Sequence, residues 1–246
     1  NNDFYCAGGG GGAGAVGQPG DPGDGAPNYG FGGAGTASVY AEGPGNPITY
    51  AGGGGGGINY GPSVPVPARS GGAGGGGAGA AVNNSGPDSN AVQGTAGLGG
   101  GGGGAGATPP PGAPPGTQGA NGGSGTVVVR YKIANLTATQ KATGGAISYY
   151  GGKTIHVFTH SGTFATTSDW SAATVEYVVI AGGGSGGVSD NAGGGGAGGY
   201  RTGTTPIGAH PVSTTIQVGA GAADQQVRTT QGTNGTPSYF GTPITA

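Results

Sequence analysis

Clean alternation of apolar and polar positions is confined to a few stretches of this chain, and each of them reads as a β-strand. Residues 126–133 (TVVVRYKI) put Val127, Val129 and Tyr131 on one face and Val128, Arg130 and Lys132 on the other. Residues 174–180 carry Val175, Tyr177, Val178, Val179 and Ile180, a β-branched and aromatic run bounded by glycine, which is the pattern of a core strand. Residues 146–150, 154–159, 163–167 and 214–218 add further strands at sandwich spacing, with turns at Gly144-Gly145, Gly151-Gly152 and Ser161-Gly162. Within residues 39–50 two short strands flank the turn cluster EGPGNP. No helical period of useful length is present, so the expected class is all-β.

Between these strands the side chains disappear. Ile180 passes almost directly into residues 182–199, 11 of the 18 being glycine and most of the others small, and the same order of strand then glycine recurs at residues 48–57 and 4–12. Residues 71–79 and 97–106 are further runs of the same kind. A segment without side chains has nothing to bury, so its order must come from backbone hydrogen bonds between close-packed extended chains. Glycine alone permits such contact, as in collagen, and the runs are expected to form packed polyglycine II helices with three residues per turn. Glycine at every third position appears only briefly, in residues 17–25, which excludes collagen itself. The expected fold class is therefore all-β with non-regular structure, β-sandwich-like strands combined with polyglycine II helices. Three segments are expected: residues 1–133, a glycine lattice ending in a strand; 134–145, a linker; and 146–246, a strand-rich half that opens the next repeat unit.

Composition sharpens this picture. Glycine supplies 69 of 246 residues, against an average usage of about 7%. Charged residues are 7% and the net charge is −2, so nothing resembles a basic stripe, and nucleic acid is not an expected partner. No apolar run approaches the ~18 residues of a membrane span. Membrane insertion is not expected. Methionine is absent even at position 1, so the chain is expected to be a processed product or one segment of a longer polypeptide.

Candidate chemistry is sparse. His156, His160 and His210 accompany no GxSxG elbow, and no catalytic residue is assigned. The glycine runs lack the Gly-Lys-Ser/Thr that a phosphate loop requires. Asp21, Asp24, Asp190 and Asp224 do not fall in the repeat of calcium-binding β-rolls, so neither metal nor cofactor is expected. Cys6 is alone, either a buried thiol or half of an intermolecular disulfide. Asn83, Asn135 and Asn234 begin N-x-S/T sequons, which count only in a host that glycosylates. Tyr29, Tyr60 and Tyr200 sit beside glycines, where a ring either covers bare backbone or presents a surface for a cell-surface glycan.

Several segments resemble a known family. HVFTHSGTF (156–164), VEYVVIAGGG (175–184), GGGGAGGYRTG (193–203), TTIQVGAG (214–221) and NGTPSYFG (234–241), with PITYAGGGGGG (47–57) and NGGSGTVVVRYK (121–132), are similar to the glycine-rich domain of tail-fibre and other appendage proteins of marine phages, especially those infecting cyanobacteria. In that family the HVFT-to-SYFG part precedes the polyglycine and VVVRY closes the unit; here the order is circularly permuted. The resemblance implies an extracellular or virion-surface part, fibrous or adhesive, and transfers no catalytic residue.

The chain's own ends repeat the same theme. PITYA (47–51) runs into six glycines, whereas the chain stops at PITA (243–246), and joining Ala246 to Asn1 would restore a strand before the glycines at residue 8. Residues 142–246 of one copy are therefore expected to pack with residues 1–133 of the next, with Asn1, Phe4, Ile244 and Ala246 at the joint. The expected function is a structural subunit of an extracellular fibre, a head-to-tail homo-oligomer; the alternative is a receptor-binding adhesin at the tip of a phage tail fibre.

Overall fold

A computed structural model of the chain describes residues 4–21, 28–43, 45–60, 67–82, 89–106, 118–132, 140–172, 174–189, 192–224, 231–241 and 244–246. Its strands are β1 (Phe4–Cys6), β2 (Thr36–Ser38), β3 (Ile48–Tyr50), β4 (Ile58–Tyr60), β5 (Ala81–Val82), β6 (Thr126–Lys132), β7 (Ala142–Thr143), β8 (Ala146–Tyr150), β9 (Lys153–Phe158), β10 (Gly162–Thr166), β11 (Thr174–Ile180), β12 (Tyr200–Pro206), β13 (Ser213–Gln217) and β14 (Tyr239–Phe240). There is no helix among the described residues, and the protein is all-β. Five strands form one sheet in the order β12-β11-β6-β9-β8, and four form a second in the order β14-β13-β10-β7. A β2-β3 ribbon and a small β1-β4-β5 sheet complete the set.

The glycine segments between the sheets follow one hydrogen-bonding rule. Gly52, Gly55 and Ile58 donate their N–H groups to Gly74, Gly77 and Ala80; Gly53 and Gly56 donate to Gly33 and Gly30; Gly54 and Gly57 donate to Gly195 and Ala192. Every third residue faces the same neighbour, and three neighbours are addressed in rotation. A β-ladder, with its period of two, does not do this. Residues 181–187 repeat the scheme: Ala181, Gly184 and Gly187 donate to Gly199, Gly196 and Gly193; Gly182 and Ser185 to Thr236 and Thr233; Gly183 and Gly186 to Gly123 and Ala120. Burial has the same period, since residues 192, 195 and 198 are buried while 193, 196 and 199 are exposed. Residues 51–58 and 99–106 are buried throughout and lie at the centre of the array.

Strands and glycine segments share their registers. Ile180 of β11 lies opposite Tyr200 of β12 and Thr126 of β6, and the bonds from Gly184 to Gly196 and from Gly183 to Gly123 continue those two pairings. Cys6 pairs with Ile58 between β1 and β4, and Ala7, Gly10 and Ala13 then donate to Gly57, Gly54 and Ala51 in the same antiparallel register. Thr36 pairs with Tyr50, and Gly53 and Gly56 continue that ladder to Gly33 and Gly30. The array is thus a set of strands whose pairing persists while its period changes from two to three. It changes where side chains give out.

The sandwich core needs side chains. Val127, Val129 and Tyr131 of β6 and Val175, Tyr177 and Val179 of β11 face Phe164, Ile216 and Phe240 of the four-stranded sheet, with Phe158, Trp170 and Ile244 filling the remainder. The rings of Tyr131, Phe164, Trp170 and Phe240 meet edge to face at centroid separations of 4.9 to 6.3 Å. On the opposite face of the five-stranded sheet, Val128, Ile155, Val178 and Ile180 pack under Tyr50 and Ala51, with Tyr40 and Ile48 at the margin. The faces assigned to β6 from alternation are the observed ones.

Other expectations are corrected. The strand at 126–133, expected to complete a neighbouring copy, has partners in its own chain: it lies between β11 and β9, with Val129 opposite Tyr177 on one side and His156 on the other. A doubly apolar strand belongs at a sheet centre, and the neighbours that satisfy it come from later in the same chain. The linker expected at 134–145 includes β7, which pairs with β10. The run at 71–79 is broken by a turn at residues 73–75, where Gly74 and Gly75 take φ of 98° and 93°, and the run at 97–106 opens with a turn in which Gly97 and Gly99 take 79° and 68°. Such values are open to glycine and strained for other residues. Segment 182–199 is two antiparallel pieces bonded to each other. The prolines of GPSVPVP (61–67) predict extended backbone and PPPGAPP (109–115) a stiff connector; residues 61–66 and 109–115 lie outside the described residues.

The array makes a position-specific prediction. A Cβ on Gly54 would fall far inside contact distance of the Gly102 carbonyl, whereas a Cβ on Gly11 or Gly196 would meet nothing within 4 Å. In chemical denaturation, Gly54→Ala is expected to lose about 1–3 kcal/mol, as overpacked sites do. Gly11→Ala and Gly196→Ala should stay within about 0.5 kcal/mol of the parent. Equal effects at all three positions would contradict the packing described.

Candidate interaction site

The histidines are dispersed by the fold. His156 is fully buried on β9, where Nδ1–H donates to the Gly144 carbonyl at 2.7 Å and Nε2 lies 3.4 Å from the Tyr131 hydroxyl, the two rings stacked at 5.6 Å. Burial lowers the His156 pKa, only partly offset by the bond to Gly144. His160 contacts Thr159, and His210 contacts Thr166. No group of three His, Cys, Asp or Glu side chains is placed to hold a metal among the described residues.

The other sequence candidates are placed as follows. Cys6 is a buried thiol packed with Ile58 and Ala81, with Tyr29 at the margin. Tyr29 and Tyr200 are half-buried, the latter against Tyr50 and Ile180, so both rings cover neighbouring structure. Asn234 is exposed. Ile244 is buried in the sandwich core and Ala246 packs beside it, its N–H donating to the Ser238 carbonyl. Phe4 pairs with Tyr60 across β1 and β4, at the end of the array opposite the sandwich. Asn1, Asn83 and Asn135 lie outside the described residues. Among the described side chains, the tyrosines that do present their rings are Tyr5, Tyr149 and Tyr150, each about half exposed. Alternation does not distinguish these, because exposure at β8 follows from its place at a sheet edge.

Two surfaces on the sandwich carry side-chain chemistry. The first is an open groove of about 550 Å³ between β8 and the β2-β3 ribbon, lined by Tyr149, Tyr150, Ser148, Thr159, Glu42 and Tyr50. Burial, followed by the charge of Glu42 and the proximity of Tyr200, pushes the Tyr50 pKa up to about 12. The second surface is charged. Glu176 on β11 accepts from Arg130 Nε at 2.8 Å and from Lys153 Nζ at 2.5 Å, and the Arg130 guanidinium stacks 3.6 Å from the centre of the Tyr40 ring. Burial alone would raise the Glu176 pKa; the hydrogen bonds and charges of Lys153 and Arg130 outweigh it and hold the carboxyl below its usual range. Residues 40, 130, 153 and 176 meet only through the order β11-β6-β9, and nothing in their sequence spacing marks them as neighbours.

Comparison with known families matches residues 158–246 to the model of a glycine-rich domain. That span holds β11 to β14 and the array segments attached to them, with the end of β9 and all of β10. Comparison with curated proteins and with solved structures yields no match.

The two shifted groups act in separate pH windows. The folded state disfavours protonated His156, so the unfolded chain binds more protons once the pH falls below about 6.5, and stability declines there. Glu176 stabilises above the normal carboxylate pKa, and its contribution is lost as the pH falls through its depressed value. The melting temperature should therefore begin to fall between pH 7 and pH 5, and His156→Gln, less stable at pH 8, should show a smaller fall over that interval. An unchanged pH profile in the variant would contradict the assignment to His156.

Proposed function

We propose that the chain is a structural subunit of an extracellular fibre, a homopolymer of copies in head-to-tail contact, and that its glycine segments are polyglycine II helices. The observation that carries the reading is the hydrogen-bonding of residues 51–58, buried throughout and bonded to successive neighbours with a period of three. Three residues per turn is the polyglycine II repeat, and negative φ gives its left-handed form. The positive-φ residues near this segment are at its ends or in turns, such as Ala51, Gly74 and Gly99, and none of Gly52 to Gly57 is among them. The central segment Gly52 to Gly57 has no side chains with which to do chemistry. Bonds in three directions across the chain axis make it stiff, and stiffness is what a fibre requires.

We place the joint between copies elsewhere than at Asn1, Phe4, Ile244 and Ala246, because Ile244 and Ala246 pack in the chain's own sandwich and β6 is paired within the chain. The five-stranded sheet instead leaves β8 and β12 as its outer strands. β8 (AISYY) has neither charge nor proline to guard its edge. Gly151 and Gly152, with φ of 57° and 72°, make a two-residue hairpin, so Tyr150 and Lys153 form the bonded pair and the amides of Tyr149 and Ile147 point outward. Contact between β8 of one copy and β12 of the next is heterologous, and a heterologous contact that does not close propagates as a filament. The groove beside Tyr149 and Tyr150 favours the second reading, a receptor-binding tip, in which one compact copy suffices.

Micrographs and sedimentation of the purified chain distinguish the two. Filaments are expected from the parent, and Tyr149→Lys, which places a charge on the open edge, should give folded monomers with an unchanged melting temperature. A parent that stays monomeric at every concentration would overturn the fibre reading.

A further inference from the structure

We propose that the groove at the array-distal end of the five-stranded sheet binds an acidic sugar, through a carboxylate or sulfate group held between Lys132 and Lys153. The groove has a volume of about 400 Å³ and is lined by Arg130, Tyr131, Lys132, Lys153, Glu176, Ser171, Ala172, Thr174 and Thr204. Three of the chain's seven Lys and Arg residues thus meet in one place on a molecule of net charge −2. A fourth, Lys141, donates to the Ser171 hydroxyl at 2.6 Å in the same wall.

The charges in this groove do not balance. Lys132 on β6 is directly opposite Lys153 on β9, and like charges across a ladder repel. Glu176 compensates Arg130 and Lys153 together, and Lys132, which is exposed, has no carboxylate partner among the described residues. An anion seated between the two lysines would relieve that repulsion and complete an alternation of charge along the groove. The rest of the lining selects the body of the ligand. Hydroxyl-bearing Ser171, Thr174 and Thr204 line the groove beside Tyr131 and Ala172, a combination that suits the hydroxyls and the apolar face of a sugar ring and gives a fatty chain little to pack on. Nucleic acid is a poor occupant, since backbone binding depends on many cations and, counting Lys141, four are present, one of them paired with Ser171 and two with Glu176.

Retention of the full chain on immobilised polygalacturonate and dextran sulfate tests the proposal, with neutral dextran and an oligothymidylate as controls. At low salt the parent should be retained by at least one acidic polysaccharide, more weakly as salt increases, and not by either control. Lys132→Glu is expected to weaken retention about ten-fold or more with an unchanged circular dichroism spectrum, while Lys132→Arg retains it. Four results would each overturn the proposal: no retention on either acidic polymer, equal retention on neutral dextran, equal retention on the oligothymidylate, or undiminished retention of Lys132→Glu.

Discussion

Everything in this molecule depends on one close approach, that of backbone to backbone with no Cβ between. Across residues 52–57 a methyl group on any glycine would collide with a carbonyl of another segment, and the colliding carbonyls belong to several different stretches of chain. Side chains normally keep chains apart, so that a strand bonds only to its neighbours within a sheet. Without them a chain bonds in three directions across its axis, and its polar groups are satisfied without any apolar burial. Ordering glycine costs more backbone entropy than ordering any other residue. A single glycine strand would not offset that cost. A bundle whose segments each bond to several neighbours does so cooperatively, which is why the central segments 51–58 and 99–106 are surrounded on all sides.

The sandwich supplies what the array lacks, a register. Glycine runs are nearly featureless, and a run displaced by one or two residues would find almost the same bonds. The ladders of β1 with β4, β2 with β3, β11 with β12 and β11 with β6 remove that freedom, because each continues into the array in the same pairing. Side chains such as Val179, Ile180 and Tyr50, locked into apolar clusters, therefore fix the alignment of glycines many residues away. The order of strand then glycine along the chain is the covalent form of this dependence.

Much of this is legible in the sequence, for definable reasons. β6, β8, β9, β10, β11 and β13 lie within a residue of the expected strands, because half-buried strands of a sandwich impose a period of two on apolar residues. The glycine runs are equally plain, but where they turn is not, since glycine is as permissible at φ of 98° in Gly74 as in an extended segment. β12 (YRTGTTP) escapes notice because it is an edge strand with little to bury. The partners of β6 are hidden because pairing is non-local and alternation does not name a neighbour. The same limit conceals the charged surface: Arg130, Lys132, Lys153 and Glu176 look dispersed along the chain and converge only once β6 is placed between β9 and β11.

Function in such a molecule divides along the line between glycine and everything else. Inside the array a side chain would disrupt the bonding, because even a Cβ at Gly54, Gly101 or Gly183 would collide with backbone, whereas rim positions such as Gly11 and Gly196 are open. The sandwich and its ribbon carry half-exposed tyrosines, a buried aromatic cluster and the Arg130–Glu176–Lys153 network. The charged network lies at the ends of β6, β9 and β11 farthest from their junctions with the array, several strand residues beyond the last glycine contact. Substitution there changes charge and shape without touching the register that aligns the glycines. A fold of this kind permits the side-chain surface of the sandwich to vary while the bonding of the array stays unchanged.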